Sequence, residues 1–373
     1  MSLNLPLDRI NWKTSVFLIS TLVIALTAVP VYLWHYGVNG FQIGLFLFYF
    51  AATGFSITLG YHRLFSHLAF KARWPVKLAT LVFGAAAFEN STLDWVADHR
   101  THHKHVDQDD DPYDISQGFF HAHIGWLLFK LRPEPPLDNV ADLQRDPLVM
   151  WQHRWCIPIG FTVGFVIPPI LGWIYGGPIQ ALGAFLLAGV ARVVFVQQMT
   201  FFINSLCHTI GRRPYSSNCS ARDSAVMAFF TFGEGYHNYH HEFQHDYRNG
   251  VKAWQFDPTK WLIWTLSKTG LASNLRRVPD TRILLVEAGE AQRLLTARLS
   301  TQASQMADKT RQLLQTSQDK LTRLMQDLGE RKDQYIRATE ARIEHSRELI
   351  SELRREIRLA VERLELAGDL MPA

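Results

Sequence analysis

Long runs of apolar residues dominate the first part of the chain, and each approaches the length that a helix needs to cross a bilayer. Four such runs cover about residues 14–34, 41–60, 157–175 and 179–204. Roughly 20 helical residues are needed to cross the hydrocarbon core. The runs therefore predict four transmembrane helices, and their length disfavours the alternative of soluble core helices.

Three features interrupt this apolar pattern. Pro158, Pro168 and Pro169 predict a kink in the third helix. Arg192 lies inside the fourth run, where a charged side chain is expensive unless it snorkels to the surface or faces protein. The run from Leu78 to Phe88 is too short to span easily, so it is expected to be re-entrant or buried against other helices.

The tail, residues 283–373, shows a different periodicity and is predicted to be a separate domain from residues 1–282. Apolar residues recur every seven positions at Ile336, Ile343, Ile350, Ile357 and Leu364, with Leu353 and Ala360 between them, and at Leu314, Leu321 and Leu328, with a phase shift around Gly329. This pattern predicts a coiled-coil-like helix, through which the chain can self-associate. The alternative is an amphipathic helix lying on the membrane or on the rest of the chain.

The positive charges next to the apolar runs are unevenly distributed. The links Trp34–Gly40 and Tyr175–Gln180 contain no lysine or arginine. Basic residues on the opposite side of the predicted spans are Arg9, Lys13, Arg63, Lys71, Arg73 and Lys77. Because basic loops stay in the cytoplasm, both termini of this multi-pass cell-membrane protein are predicted to be cytoplasmic.

Three histidine motifs fall on this same cytoplasmic side, each beside an apolar run. They are His62-x4-His67, His99-x2-His102-His103 and His237-x2-His240-His241. Positions i, i+3 and i+4 share one face of a helix, so each triplet can direct its imidazoles toward one point. His62 and His67 are about 140° apart on a regular helix. They can share a site only if the helix ends or distorts there.

A ninth histidine, His208, follows the fourth run on the same side. It can complete a metal-ligand set, with Asn204 one turn away to hold a metal-bound water or orient a ligand; the alternative is a hydrogen-bonded core histidine. Nine histidines exceed the needs of one ion and suit two. Imidazole binds zinc, copper, iron and nickel, so the ligand type does not select the metal. A site beside lipid chains favours iron, because iron with O₂ can attack unactivated C–H bonds.

The residues around these motifs resemble those of membrane fatty acid desaturases, and in particular the acyl-CoA (stearoyl-CoA-type, Δ9) desaturases. The similar segments are Gly60-Tyr61, Asp98-His99-Arg100, Asp111-Pro112 with Gly118, His123-Ile124-Gly125-Trp126, Asn204-Ser205, Gly233-Glu234-Gly235-Tyr236 and Phe256–Trp261. The resemblance covers roughly residues 12–275 and excludes the tail. It implies an all-α integral membrane protein with four transmembrane helices under a cytosolic helical cap, which encloses a dimetal centre and a kinked acyl tunnel.

The resemblance also implies roles for individual residues. One metal would be held by His62, His67, His99, His103 and His240, and the other by His102, His208, His237 and His241, with Asn204 reached through water. No catalytic residue is expected beyond the metal centre. Asn90, Trp95 and Thr200 would contact the acyl chain or its carbonyl, and ordinary packing or capping is the alternative role for them. Lys130 is retained as a substrate contact.

The sequence departs from the family pattern at two places that concern the acyl carrier. Ala97 stands where many relatives that bind CoA have an arginine, and Ser116-Gln117 replaces a basic pair. Fewer cations for phosphate weaken the case for CoA. Acyl groups on phospholipid or on a carrier protein therefore stay open as substrates.

The activity implied is O₂-dependent desaturation of a saturated long-chain acyl group by a centre of two iron ions (Fe²⁺). We find no fused cytochrome b5 haem motif, ferredoxin cysteine cluster or GxGxxG motif in the chain. An external ferredoxin or cytochrome with its reductase is therefore expected to supply electrons. The alternatives are a membrane di-iron hydroxylase and a desaturase of phospholipid-bound chains. A metal transporter or metal sensor is disfavoured, because the candidate ligands lie on one side of the spans.

Overall composition adds little to this picture. The net charge of +4 does not indicate nucleic-acid binding, and basic residues near membrane ends suit lipid headgroups or an anionic substrate. Cys156, Cys207 and Cys219 are odd in number and irregularly spaced, so they predict no disulfide framework and fit a reducing compartment.

Overall fold

The computed structural model describes residues 6–131, 137–299, 304–334 and 341–369. Contacts along the chain divide it into two compact units. The first comprises Met1–Arg212 and Cys219–Arg277, and the second comprises Arg213–Asn218 and Val278–Ala373. The domain boundary predicted between residues 282 and 283 lies near this division, within the first turn of the helix Asp280–Leu299, and stays a prediction.

Within the described residues, four helices have the length and apolar composition to cross a membrane, as predicted. They are Trp12–Tyr36, Gly40–Ser66, Pro147–Gly176 and Pro178–His208, here called the first to fourth spans. The second and fourth spans continue past their predicted ends into polar residues, including His62 and His208. These extensions carry histidines that the apolar pattern alone could not place on the spans.

A polar cluster ties together one end of three spans. Asn39 begins the second span as an N-cap, because its side chain accepts a hydrogen bond from the Gln42 N–H. The Gln42 amide in turn donates to the Tyr32 hydroxyl at 2.7 Å and to the Gln180 Oε1 at 2.9 Å. These bonds satisfy polar groups that would otherwise be costly at the edge of a bilayer.

The irregularities of the third and fourth spans follow the predicted pattern. In the third span, Trp155 departs from helical geometry three residues before Pro158, and a π-helical turn, Thr162–Val166, precedes Pro168. In the fourth span, Arg192 is buried and faces protein: its Nε donates to the Ala188 carbonyl and its Nη1 to the Ala86 carbonyl. The expected kink and the protein-facing arginine are thus both present.

Shorter elements between and after the spans complete the first unit. The apolar run after the second span forms Trp74–Ala85, which packs against the second and third spans instead of crossing. The other helices are Thr92–His105, Trp126–Leu128, Ala141–Gln144, Ala225–Phe230, His237–Glu242 and Pro258–Lys268. One antiparallel pair of strands, Lys71–Ala72 with Ala272–Ser273, joins the segment after the second span to the end of this unit.

Three helices form what we call the tail bundle: Asp280–Leu299, Ser304–Gln334 and Ala341–Asp369. They pack against one another around Ala288, Leu314, Leu321, Ile357 and Leu364. Four of these core residues belong to the predicted heptads, so the heptads pair helices within one chain and do not form a single helix. The second helix continues without a break through Gly329, around which the heptads shift in phase, and ends at Gln334. Ile336 lies outside the described residues, as does the side chain of Ile343.

Candidate metal centre

A widened helical turn brings the two histidines of the first motif together. The second span is π-helical from Ser56 to Ser66, and the His67 N–H donates to the His62 carbonyl at 3.1 Å. A π-helix bonds residues five apart, so His62 and His67 stand one turn apart on the same face. The helix thus distorts and ends where the H-x4-H spacing required it.

The second motif lies on the Thr92–His105 helix, which begins at the N-cap Ser91. His99 and His103 are four residues apart and share one face, whereas His102 is rotated by about 100° from His103. The structure accordingly sends His99 and His103 to one histidine group and His102 to another. The expectation from spacing alone, that the triplet points to one centre, is therefore wrong.

The third motif divides in the complementary way. On the helix His237–Glu242, His237 and His241 share one face and join His102, whereas His240 joins His99 and His103. Each helix thus gives two imidazoles to one group and one to the other. The rings of His103 and His241 stack with centroids 4.3 Å apart, so the two groups are adjacent.

The nine predicted histidines are all brought together. The first histidine group contains His62, His67, His99, His103 and His240, and the second contains His102, His208, His237 and His241. Within each group, one nitrogen of every residue lies within 4.8 Å of the others. Pairs of Nε2 atoms approach to 2.9 Å between His67 and His99 and to 3.0 Å between His208 and His237.

Partners on the outer face of the rings set which nitrogen points inward. His62 Nδ1 lies 2.7 Å from Glu234 Oε2, and His102 Nδ1 lies 2.8 Å from Asp111 Oδ1. His208 Nδ1 lies 2.6 Å from the Ser220 hydroxyl. The Asp111 carboxylate accepts the Nδ1 proton of His102, so the Nε2 of that ring presents its lone pair inward.

This donor set fits metal ions better than it fits hydrogen bonds among the rings. Inward lone pairs that face one another at about 3 Å repel, and a cation between them removes the repulsion. Five nitrogens in one group and four in the other match the coordination of two ions. The side chains present therefore fit two metal ions without further donors.

The histidines are also held in the neutral form that binds metal. Burial lowers the pKa of His67, His99, His103, His237, His240 and His241 below its usual value, and neighbouring imidazoles add to the effect. Burial would raise the pKa of Asp111, but the interaction with His102 and the backbone hydrogen bonds from Asp107 and Tyr113 together lower it. Neutral imidazole beside ionised carboxylate is the state in which histidine coordinates a metal.

A buried charge network supports the first group from behind. Arg63 follows His62 and is only 1% exposed. Its guanidinium lies 2.9 Å from Glu234 Oε1 and 3.0 Å from Asp257 Oδ1. Glu234 therefore binds Arg63 with one oxygen and His62 with the other. Replacing one member would leave a charge buried without its partner.

An apolar cavity of about 120 Å³ ends at the two histidine groups. Its wall includes His62, His99 and His237 together with Phe17, Ile57 and Val196. The predicted substrate contacts Asn90, Trp95 and Thr200 line this cavity, as does Asn204. The Trp95 ring stacks on His99 with centroids 4.7 Å apart, so it forms the cavity wall beside the first group.

The fourth predicted substrate contact, Lys130, lies elsewhere. It lines a neighbouring polar cavity of about 700 Å³. The two cavities share wall residues, among them Asn90, Asp98 and Trp126, so they are adjacent. Charges of both signs line the polar cavity: Asp98, Arg100, Lys104, Asp109, Asp110, Lys130 and Asp138.

Sequence reasoning missed the carboxylates that orient the ligands. Glu234 and Asp111 belong to segments that resemble the family, but the sequence predicts no role for either residue. A signal was available for Glu234, because glycines flank it directly before the third motif. A Cβ at Gly235 would lie 2.1 Å from the Ala228 backbone nitrogen, and Gly233 adopts φ +103°. Only glycine fits both positions, which mark a tight turn that presents an acid.

The fold and the site together define a multi-pass membrane protein with a histidine-rich site for two metal ions. A family model for fatty acid desaturases matches residues 39–272, and the chain belongs to this family. The family assignment expected from the histidine motifs is thus confirmed.

Individual relatives agree with this assignment. The chain is 44% identical over 238 residues to a probable acyl-CoA desaturase of Schizosaccharomyces pombe, covering 64% of this chain and 49% of that protein. It is 38% identical over 284 residues to acyl-CoA desaturase 1 of Saccharomyces cerevisiae, covering 74% of this chain and 54% of that protein. It is 34% identical over 266 residues to human stearoyl-CoA desaturase, covering 69% of this chain and 71% of that protein. The chain thus spans about half the length of the two yeast proteins.

Proposed function

We propose that the protein is an O₂-dependent acyl-CoA desaturase that introduces a Δ9 double bond into a saturated long-chain acyl group. The observation that carries the proposal is the pair of adjacent histidine groups at the end of an apolar cavity. The family and the names of the relatives support it.

The nine histidines would hold two iron ions, divided between the first and second groups. Asn204, one turn before His208, would reach the second ion through water. When bound, the iron pair supplies the power to oxidise C–H bonds with O₂. Glu234 and Asp111 keep their histidines in the Nε2-inward orientation.

The apolar cavity would bind and orient the acyl chain. Each methylene removed from water contributes about 0.8 kcal/mol, so a long chain binds strongly without polar contacts. Trp95, fixed against His99, would set the distance between chain and metal centre. Geometry of this kind selects which carbons react, because only those held near the metal are oxidised.

The polar cavity would receive the acyl carrier. Lys130 and Lys104 can contact phosphate, whereas Asp109 and Asp110 oppose it. We favour acyl-CoA because the relatives are named for it. Phospholipid-bound acyl chains are the second candidate, favoured by the acids lining this cavity.

The enzyme would work at the cytoplasmic face of a membrane with an external source of electrons. The histidine groups and both termini would face the cytoplasm, where an external ferredoxin or cytochrome and its reductase deliver electrons. Residues 283–373 would form a separate domain that allows self-association. The bilayer lipids would surround the four spans.

The test is expression in a desaturase-deficient host, with mass spectrometry of fatty acid methyl esters to locate any double bond. We expect a Δ9 monounsaturated product from the wild type and from His35→Ala, in which an exposed histidine is removed. No product is expected from His240→Ala. An alcohol in place of the alkene would establish the hydroxylase, and an absence of any product would refute the proposal.

A further inference from the structure

Glu89 is a carboxyl group that the metal centre does not use. It lies in the turn between the helices Trp74–Ala85 and Thr92–His105, and it lines the apolar cavity. Both of its carboxyl oxygens are buried, and neither makes a hydrogen bond within the described part of the chain. An acid in this position faces the space proposed for the acyl chain.

The turn that carries Glu89 is held rigidly. The residues on either side, Phe88 and Asn90, adopt φ of +57° and +70°, which is unusual for side chains other than glycine. Arg192 donates to the Ala86 carbonyl, and Gln197 donates to the Phe88 carbonyl at 2.9 Å. The direction of Glu89 is therefore imposed by the fourth span and is not that of a loose loop.

Burial determines the charge of this side chain. An ionised carboxylate in an apolar wall loses its hydration, and the neutral neighbours Thr200 and Trp95 compensate only part of that cost. Burial raises the pKa of Glu89 to about 8, although the neighbouring Thr200 and Trp95 act in the opposite direction. A raised pKa means that the neutral acid predominates below pH 8 and the carboxylate above it.

We propose that Glu89 is an acyl-binding residue that works as a neutral carboxylic acid. This inference rests on the proposed function, because it takes the apolar cavity as the place of the acyl chain. Methylenes pack against the protonated side chain, whereas an ionised Glu89 would require hydration that the bound chain excludes. Acyl binding and proton binding at Glu89 therefore favour each other.

Other titratable groups also face this cavity, from several elements. They are His62, Asp98, His99, Tyr113, Glu234 and His237. Tyr61 is close enough to be affected by the charge of Glu89. Burial raises the pKa of Asp98 to about 7, so Asp98 also titrates near neutral pH. A comparison between two proteins that differ only at residue 89 cancels these shared contributions.

The experiment measures equilibrium binding of radiolabelled stearoyl-CoA to the metal-loaded full chain in detergent, without electron donor. Wild type is compared with Glu89→Gln, which has the same shape and no titration, from pH 7 to pH 9. We expect wild-type Kd to rise about tenfold more over this range than Kd of the variant, since one unit above the pKa corresponds to tenfold. Glu89→Asp, which keeps an acid, is expected to retain the dependence.

Parallel profiles for wild type and Glu89→Gln would overturn the inference while leaving the desaturase proposal intact. Binding that is absent from every protein at every pH would overturn the inference together with the proposed use of the cavity. If Glu89→Gln does not fold, the comparison of wild type with Glu89→Met decides in the same way. Product analysis of the wild type in the host then distinguishes a failed inference from a failed function, because a double bond in the product supports the desaturase whatever role Glu89 has.

Discussion

The two units of the chain differ in how many polar side chains they bury. Besides an apolar core, the first unit buries histidines, carboxylates and arginines, many of them in contact with one another near the ends of membrane-length helices. The tail bundle buries alanine, leucine and isoleucine. Burial of polar groups lowers stability unless each is paired, whereas burial of aliphatic groups stabilises directly. The comparison indicates that the buried polar groups of the first unit serve its chemistry at a cost in stability. The aliphatic core of the tail bundle contributes to stability alone.

The largest expected effect is the loss of a metal ligand from the first unit. His102→Ala removes one of four nitrogens in the second histidine group, so desaturation in the host should be abolished while membrane insertion continues. Fatty acid analysis and membrane fractionation measure the two properties. Normal turnover by the variant would remove His102 from the ligand set.

The charge network behind the first group should respond through stability. Arg63→Met leaves Glu234 and Asp257 buried without their cation, which is expected to destabilise the unit by about 3–5 kcal/mol. The melting temperature in detergent should fall by about 10 °C. Lys77→Met is the matched control, since it breaks a partly exposed pair with Asp146 and should change stability by about 1 kcal/mol or less. Equal losses in the two variants would contradict the proposed role of burial.

A substitution in the core of the tail bundle should lower its stability without reducing the metal content of the chain. Leu321→Ala creates a cavity in the aliphatic core and is expected to cost about 2–5 kcal/mol in this bundle. Leu313→Ala, at a residue that is 60% exposed, should stay within about 0.5 kcal/mol. Hydrogen exchange of the tail and metal analysis of the whole chain measure both effects. Loss of metal from Leu321→Ala would show that the two interiors are not independent.

The smallest expected effect concerns the orientation of a ligand. Asp111→Asn removes the carboxylate that accepts the His102 Nδ1 proton, so metal affinity should fall about 10–100-fold with the fold intact. Asp110→Asn is the control, because Asp110 is 77% exposed on its side chain. Competition with a chelator measures the affinities. Identical affinities would mean that Asp111 does not orient His102.

Much of the membrane architecture could be predicted from the sequence, because an apolar run long enough to cross a bilayer is rare in the helices of water-soluble proteins. The ends of the spans were less predictable, since His62, Arg63 and Ser66 interrupt the apolar pattern although the helix continues through them. The H-x4-H spacing indicated a distortion but not its form as a π-helix. In the tail, the heptads predicted packing but not that it occurs among three helices of one chain.

The division of the histidines could not be derived from spacing. Positions i+3 and i+4 both lie near i on a helix, and only the arrangement of neighbouring helices decides which metal each residue faces. The resemblance to a family supplied that division, and the roles of Glu234, Asp111 and Glu89 depended on contacts across the fold. Glu89 in particular has no motif around it, and only its burial in the cavity wall distinguishes it.

The central claim is that nine histidines hold two metal ions in two distinct groups. The most direct test is the metal content per chain of purified protein, measured for wild type and for the double variant His208→Ala with His237→Ala. We expect two ions per chain, both iron, in the wild type and one in the double variant, because the first histidine group stays complete. One ion or none in the wild type, or an unchanged content in the double variant, would contradict the account.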